Sequence, residues 1–456
     1  MLEALLRDTT ERATRYLADL PARNVAPTPH AIAQLAAFAE PLPDQPCDPT
    51  AVVELLDRYG SPATVATAGP RFFGYVVGGS LPAALAANWL AGAWDQDAGA
   101  VSTSPACAAI EEVALGWLLD LLRLPPDCAG AFVTGATMAN FSCLAAARHV
   151  VLERAGWDVE ANGLFGAPPV TVVVSAEAHA SVLKALGLLG FGRQRVVTVS
   201  VDAQGRMRSD ALPQVTAPAI VCAQAGNVNT GAVDPLPQIC AWARSSGAWV
   251  HIDGAFGLWA AAAPERAWLV DSAAEADSWA TDAHKWLNVP YDSGLAFTRH
   301  GEALRAAMAA SAAYLSVSDR RQPDQYTPEL SRRARGVEIW AALRSLGRAG
   351  VADLIERTCR FATRFTDGLR AAGYEILNEV TLNQVLVAFG DDDTTLRVIA
   401  GIQTDGTCWC GGTLWHGRAA MRISVSSWAT SEDDVERSLA AILRIAQGAG
   451  SDGQRP

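Results

Sequence analysis

Short apolar runs alternate with amphipathic stretches through the middle of the chain, from about residue 76 to about residue 320. Several of these apolar runs are continuous, which is typical of strands that are buried on both faces. The runs predict seven strands: Ala131–Thr134, Val170–Ser175, Arg195–Val201, Ala219–Ala223, Ala248–Asp253, Ser278–Thr281 and Gly294–Thr298. Helices are predicted between them at about 139–154, 179–189 and 235–246. The alternation indicates an α/β fold with a mainly parallel, seven-stranded sheet covered by helices.

The two ends of the chain have other patterns. Near the start, apolar residues recur at helical spacing and predict an amphipathic helix that needs a partner surface. After about residue 330, a predicted helix at 333–372 precedes short strands near 384–389 and 420–426 and a final helix at about 431–447, which is typical of a small α+β domain. The predicted segments are an N-terminal helical arm at 1–75, a large domain at 76–325 and a small C-terminal domain at 326–456.

Composition excludes several classes of function. The formal net charge is −12 and the sequence has no basic run, so neither a nucleic-acid partner nor an anionic membrane surface is expected. No stretch of about 18 uninterrupted apolar residues predicts a membrane-spanning helix. The first twenty residues lack the apolar segment of a signal peptide. Together with nine cysteines, an odd number, this predicts a cytoplasmic protein with reduced thiols.

Cys408, Cys410 and His416 lie close together in the sequence, but the C-x-C spacing is not a typical zinc spacing. We interpret them as structural, and no metal is predicted. Lysine is unusually scarce: of 36 basic residues only Lys184 and Lys285 are lysines. Arginine stays protonated in proteins and cannot serve as an amine nucleophile, so imine chemistry would have these two side chains and the N-terminus as candidates.

Chemically active residues follow several predicted strands, at the sheet edge where ligands of open parallel sheets bind. Gly135–Asn140 opens a helix with small residues and a hydroxyl, which suits a phosphate but is also typical of plain tight packing. Asp253 ends a buried strand; it either caps a helix or keeps a cofactor ring nitrogen protonated. Lys285 follows another strand end, and His179 follows a third, where an imidazole can stack on a flat ring.

These motifs, in this order, resemble the group II pyridoxal-phosphate-dependent amino-acid decarboxylases, which include the aromatic amino-acid and glutamate decarboxylases. The resemblance covers nearly the whole chain. It is carried by Gly135–Asn140, His179–Ser181, His251–Ala255, Asp282–Trp286, Phe72–Pro82, Ser104–Cys107 with Glu111 and Glu112, Leu330–Arg333 and Met421–Ser424. The resemblance implies a fold-type-I enzyme that binds pyridoxal 5′-phosphate (PLP) and an amino-acid substrate, as a homodimer whose N-terminal arm wraps its partner.

The resemblance also implies roles for single residues. Lys285 would form the Schiff base, Asp253 would pair with the pyridine nitrogen, and His179 would stack on the ring; these three are the predicted catalytic residues. The other predicted cofactor-binding residues are Gly135, Ala136, Thr137, Asn227, Ala255, Asp282 and His284. The predicted substrate residues are Trp94, Gln96, Tyr326 and Arg422.

Two departures from the family pattern leave the product open. The family's mobile loop usually carries a tyrosine that protonates the substrate carbon, whereas Ser316–Gln325 has none; Tyr314 and Tyr326 lie at its edges. A turn at Gly226–Gly231 replaces a threonine-rich turn. The sequence predicts decarboxylation of an L-amino acid to the amine and CO2. The alternatives are decarboxylation coupled to oxidation, with an aldehyde product, or transamination; a non-catalytic PLP-binding subunit is disfavoured.

The substrate side chain does not follow from the sequence. Trp94, Phe72, Phe73 and Tyr75 either line an aromatic pocket or belong to the core, and their size favours the core. Among substrates, the sequence favours an aromatic L-amino acid.

Overall fold

The computed structural model describes residues 1–310 and 320–452. Tyr314 and the first four residues of the predicted short loop lie outside the described residues. The α-helices are α1 Leu2–Asp19, α2 Pro29–Gln34, α3 Pro49–Leu55, α4 Ser61–Ala63, α5 Pro82–Trp94, α6 Pro105–Leu121, α7 Ala136–Glu153, α8 Val159–Asn162, α9 Ala180–Leu188, α10 Leu236–Ser246, α11 Gly301–Met308, α12 Arg335–Ala371, α13 Asp392–Asp405 and α14 Glu432–Asp452. In these ranges, no helix is both long enough and apolar enough to span a bilayer.

Within the described residues, seven strands form the main sheet: β1 Ala129–Val133, β2 Thr171–Ser175, β3 Val197–Val199, β4 Ala219–Gln224, β5 Trp249–Asp253, β6 Ser278–Asp282 and β7 Gly294–Thr298. Their spatial order is β1-β7-β6-β5-β4-β2-β3. β2 to β6 pair in parallel, and β7 runs antiparallel to both of its neighbours. The predicted mainly parallel, seven-stranded α/β sheet is confirmed.

The main core lies between this sheet and α7. Every residue of β4 is buried, as expected for a central strand that helices cover on both sides. On α7, Ala145, Ala146 and Ala147 are fully buried, and these small side chains let the helix pack closely against the strands. The predicted edge strand Arg195–Val201 is shorter than expected, because only Val197–Val199 pairs with β2.

A buried ion triad anchors β1. Glu111 on α6 lies 2.9 Å from Arg321 and 2.9 Å from Arg332, and the side chains of Glu111 and Arg332 are 2% and 0% exposed. The two guanidinium groups also donate to strand carbonyls, Arg321 to Gly130 and Arg332 to Phe132. These bonds stabilise cations that would otherwise be costly to bury, although the Arg332 Nε has no hydrogen-bond partner among the described residues.

Within the described residues, a second sheet has the order β10-β11-β9-β8, formed by β8 Glu375–Ile376, β9 Gln384–Ala388, β10 Gly411–Trp415 and β11 Arg418–Ser424. The sequence predicted β9 and β11 but neither β8 nor β10. The predicted helix at 333–372 is interrupted at Gly347, whose φ of 61° and ψ of −179° are not helical. Glycine adopts this φ without the steric penalty that a side chain brings.

The chain divides into two compact units. One comprises Met1–Val77, Arg364–Leu377 and Leu386–Pro456, and the other comprises Gly78–Thr363 and Asn378–Val385. The three segments predicted from the sequence stay a prediction. In the first unit, the rings of Phe72 and Tyr75 stack on Trp409 with centroids 4.9 and 5.7 Å away. Gly74 permits this, since a Cβ there would lie 2.2 Å from the Trp409 ring.

Candidate active site

Asp253 and Lys285 lie at the carboxyl ends of two adjacent parallel strands. Asp253 ends β5 and pairs in register with Ala280 of β6, and Lys285 comes three residues after the end of β6. The Lys285 Nζ lies 3.0 Å from Asp282 Oδ2, and the Lys285 side chain is 19% exposed. Lys184, by contrast, is exposed on α9. The geometry therefore places one lysine in a confined site and the other on the surface.

Asp253 is a carboxylate in a nearly water-free position. It is 3% exposed, its Oδ2 accepts from Asn140 Nδ2 at 3.2 Å, and its Oδ1 accepts from the Ala255 N–H at 3.2 Å. Burial raises the pKa of Asp253, while the charges of His179 and Lys285 and the Asn140 hydrogen bond oppose that rise. A buried anion of this kind is stabilised by a cationic partner, and a protonated pyridine nitrogen is one.

The first turn of α7 forms a position that attracts anions. The Ala136 N–H donates to Asp282 Oδ1 at 2.5 Å, and His284 Nε2 lies 3.7 Å from Asp282 Oδ2. The backbone approaches closely here, because a Cβ on Gly294 would lie 2.4 Å from the Gly135 Cα. Helix N–H groups and cationic side chains are the donors that phosphate prefers. Thr137, which follows Ala136 in this turn, is half-buried.

The two site histidines are held in different ways. His179 is the N-cap of α9: its Nδ1 accepts from the Ser181 N–H at 3.2 Å and lies 2.8 Å from Ser181 Oγ. The ring is exposed and could lie against a flat cofactor. His284 accepts from the Ser293 N–H through Nδ1 at 3.1 Å, and burial lowers its pKa. Its ring lies against Tyr291, with 4.3 Å between the centroids and an angle of 30° between the ring planes.

Asn227 has a local structural role. Its Oδ1 accepts from the Asn229 and Thr230 N–H groups at 2.9 and 3.2 Å, and its Nδ2 donates to Gln224. The side chain thereby closes the turn that departs from the family pattern. Its predicted contact with the cofactor stays a prediction.

Three of the four predicted substrate residues belong to one compact unit and the fourth to the other. Trp94 is 42% exposed at the end of α5, and the exposed Gln96 donates to the Trp94 carbonyl. Tyr326 is half-buried beneath the guanidinium of Arg321, which lies 4.7 Å from the ring centroid. Arg422 lies on β11 in the other compact unit, where burial lowers its pKa and the nearby Tyr75 opposes that effect.

Of the four aromatic residues that the sequence favoured as core, two belong to it: Phe72 and Phe73 are 4% and 1% exposed. For Trp94 and Tyr75 the prediction is wrong, because they are 42% and 67% exposed. Cys408 and Cys410 are buried, whereas the His416 ring lies tilted against Trp415. The described residues contain no cluster of three or more metal-ligand side chains.

Sequence reasoning gave no role to three residues beside this site. Asn140 and His251 are fully buried polar residues within the hydrogen-bonded surroundings of Asp253. Tyr291 is 57% exposed and its ring lies tilted against His284. Polar residues inside otherwise apolar elements were the signal for the first two, since buried polar groups require partners.

Known proteins resemble this chain over most of its length. A model of the pyridoxal-dependent decarboxylase conserved domain matches residues 35–390. L-2,4-diaminobutyrate decarboxylase from Rhizobium meliloti (strain 1021) is 28% identical over 394 residues, which are 82% of this chain and 77% of that protein.

Two solved structures show the same fold. Oryza sativa TDC with PLP and tryptamine has a TM-score of 0.90 at 22% identity, over 98% of both chains. Rhodiola rosea 4-hydroxyphenylacetaldehyde synthase has a TM-score of 0.86 at 22% identity, also over 98% of both chains. The predicted fold-type-I class is confirmed.

Proposed function

The chain belongs to the pyridoxal-dependent decarboxylase family and is a PLP-dependent amino-acid decarboxylase, and from this premise we propose that it converts an L-amino acid to its amine and CO2 at Lys285. The observation that carries the assignment is the position of Lys285 beside the buried Asp253, at the ends of adjacent strands. In a chain with two lysines, one exposed, only Lys285 combines an amine with these surroundings.

The residues present fit the cofactor. When bound, PLP withdraws electrons from the substrate carbon and so permits loss of its carboxyl group. Lys285 would supply the amine that holds the cofactor, and Asp253 would keep its ring nitrogen protonated. His179 and Ala255 would line the ring. The first turn of α7, from Gly135 to Thr137, would hold the phosphate with His284, while Asp282 orients the Lys285 amine 3.0 Å away.

Proton delivery decides the product. The Lys285 amine, positioned by Asp282, is a group that can return a proton to the substrate carbon and give the amine. The rival product is an aldehyde, which a neighbour of the same fold, the Rhodiola rosea 4-hydroxyphenylacetaldehyde synthase, carries in its name. Measuring amine, aldehyde, CO2 and oxygen uptake together separates the two, since the oxidative reaction consumes oxygen and yields no amine.

We propose an aromatic substrate side chain. Trp94 and Tyr75 are 42% and 67% exposed, so both rings keep surface that the protein core does not use. The Rhizobium meliloti relative acts on a diamino acid, and a cationic substrate is therefore the comparison to include. A screen of tryptophan, tyrosine, 2,4-diaminobutyrate and glutamate for CO2 release tests this. Faster turnover of 2,4-diaminobutyrate or glutamate than of either aromatic acid would contradict it.

A homodimer is supported by the N-terminal helix. Within the described residues, α1 has no buried side chain, and Leu2 and Leu6 are 68% and 55% exposed. An apolar helix face of this kind is stabilised by covering it, and a second copy of the chain is the partner that we infer. Sedimentation analysis should give twice the 48.0 kDa chain mass. The nine free cysteines support a cytoplasmic location, where thiols stay reduced.

The decisive experiment compares Lys285→Ala with Lys184→Ala. The wild type and the Lys184 variant should show a visible cofactor band that borohydride abolishes, and both should release CO2. The Lys285 variant should hold no cofactor covalently after borohydride reduction and should lose nearly all turnover. The assignment of Lys285 fails if, after reduction and denaturation, its alanine variant keeps the cofactor covalently attached.

A further inference from the structure

A line of hydrogen bonds approaches Asp253 from inside the protein. The Trp249 Nε1–H donates to Ser278 Oγ at 2.9 Å, and Ser278 Oγ lies 2.9 Å from His251 Nδ1. His251 Nε2 lies 2.8 Å from Asn140 Oδ1, and Asn140 Nδ2 donates to Asp253 at 3.2 Å. All five residues are buried, four of them at 1% exposure or less and Asp253 at 3%.

The direction of each bond follows from the chemistry of its partners. Burial lowers the pKa of His251 to about 3, so the ring is neutral and carries one proton. Asn140 Nδ2 faces two acceptors, Asp253 Oδ2 and Ser181 Oγ, which directs the amide oxygen at His251. The His251 proton must then reside on Nε2, and Nδ1 accepts from the Ser278 hydroxyl. Every donor in the line therefore points toward Asp253.

Asn140 also connects Asp253 to His179. Its second amide hydrogen reaches Ser181 Oγ at 3.2 Å, and that oxygen lies 2.8 Å from His179 Nδ1. The Ser181 N–H also donates to Nδ1, so the Ser181 backbone and side chain together fix the orientation of the His179 ring. The Asn140 amide thus contacts Asp253, the carboxylate expected at the ring nitrogen. Through the Ser181 hydroxyl it is also connected to His179, the imidazole expected on the ring face.

We propose that Asn140, supported by His251, is a positioning residue that keeps Asp253 ionised and directed at the cofactor ring nitrogen while it fixes the orientation of His179. The inference rests on the proposed function, in which Asp253 pairs with that nitrogen. Neutral donors suit this role because they stabilise the carboxylate in a low-dielectric position without cancelling its charge, and because aligned hydrogen bonds polarise one another. A cation at Asn140 would instead compete with the protonated ring.

The test measures cofactor affinity, which does not depend on turnover. Cofactor-free protein is titrated with PLP and with 1-deaza-PLP, in which carbon replaces the ring nitrogen, and tryptophan fluorescence reports binding. A hydrogen bond to a charged group contributes about 1.5–3 kcal/mol, so Asn140→Ala should weaken PLP binding by about 10- to 150-fold. Binding of the deaza analogue should change less than about threefold, because that ring offers Asp253 no proton.

Three further variants guard against misfolding. His251→Phe keeps Asn140 and removes the donor behind it, and it should weaken PLP binding by about 3- to 10-fold with the same preference for the natural ring. Ser142→Ala and Cys222→Ala are matched controls. Ser142 is buried on α7 and its hydroxyl has no hydrogen-bond partner among the described residues, while Cys222 pairs with His251 across the sheet. Both controls should bind each cofactor as the wild type does.

Asp253→Ala tests the role of Asp253 separately from the role of Asn140. If this variant loses the preference for PLP over 1-deaza-PLP but Asn140→Ala keeps it, the role proposed for Asn140 is wrong and the role of Asp253 stands. If Asp253→Ala keeps the wild-type preference, the assignment of Asp253 to the ring nitrogen fails, and the role of Asn140 fails with it. Equal weakening of both ligands by Asn140→Ala would make Asn140 merely structural and would overturn the proposal.

Discussion

Replacing Glu111 by glutamine should destabilise the fold, because it removes the negative charge between two guanidinium groups. The substitution keeps the side-chain length and one acceptor oxygen. Arg332 cannot regain water, since its side chain is 0% exposed, and its other partners are carbonyl oxygens of Ala98 and Phe132. Arg321 is 16% exposed and can relax in part toward solvent.

The structure sets the size of the effect. Removing one partner of a buried ion pair costs about 3–5 kcal/mol, and the retained amide oxygen places Glu111→Gln near 3 kcal/mol. Urea unfolding has a slope of at least about 3 kcal/mol per molar for a chain of this length, so the midpoint should fall by up to about 1 M.

The assay is urea unfolding of the cofactor-free protein, followed by tryptophan fluorescence, because bound PLP would add stability by mass action. Glu112→Gln is the matched control, since Glu112 is the exposed neighbour on the same helix. Its midpoint should equal that of the wild type. Midpoints of the two variants that agree within about 0.2 M would refute the reasoning that the triad anchors β1.

Two other predictions concern the core. Burial raises the pKa of Asp234 to about 6, above its value in the unfolded chain. The protonated side chain therefore contributes stability below about pH 4. This contribution, up to about 3 kcal/mol, is lost as the pH rises to about 6. Asp234→Asn should flatten the pH dependence of unfolding in this window, and an unchanged slope would contradict the assignment. Gly74→Ala should destabilise by about 1–3 kcal/mol, because its Cβ would overlap Trp409. Gly116→Ala is the control: it lies in a helix with no atom within 4 Å of the added Cβ, and it should stabilise the protein by about 0.5–1 kcal/mol. Equal Tm values for the two alanine variants would show that the Trp409 ring moves aside without cost.

Much of the main sheet was predictable, because buried strands leave continuous apolar runs. Gly294–Thr298 was predicted with the observed bounds, and each of the other six strands was located to within a few residues. The edge strand β3 was overestimated, since apolar residues continue past the point where pairing ends. β10 was missed because its alternate residues are exposed and it contains two glycines, which gives it no apolar run.

The site was predictable where chemistry restricts the residue type. Lys285 was recognisable because the chain has only two lysines, and Asp253 because it is a carboxylate at the end of a buried strand. Asn140 lies inside the Gly135–Asn140 motif, yet its bond to Asp253 joins residues 113 positions apart. A contact of that kind depends on how α7 packs against β5, which local patterns do not specify.

The position of β1 in the sheet has a consequence for synthesis on the ribosome. Within the described residues, β1 lies at one edge of the main sheet and pairs with β7 alone, in a register that joins Ala129 to Thr298. At about 5–20 residues per second, the ribosome needs roughly 8–33 s to advance from the end of β1 to the end of β7, a distance of about 165 residues. During this interval an apolar segment that is buried in the mature sheet has no strand to pair with. A nascent chain with this topology therefore keeps this apolar segment unpaired until its distant partner strand is translated.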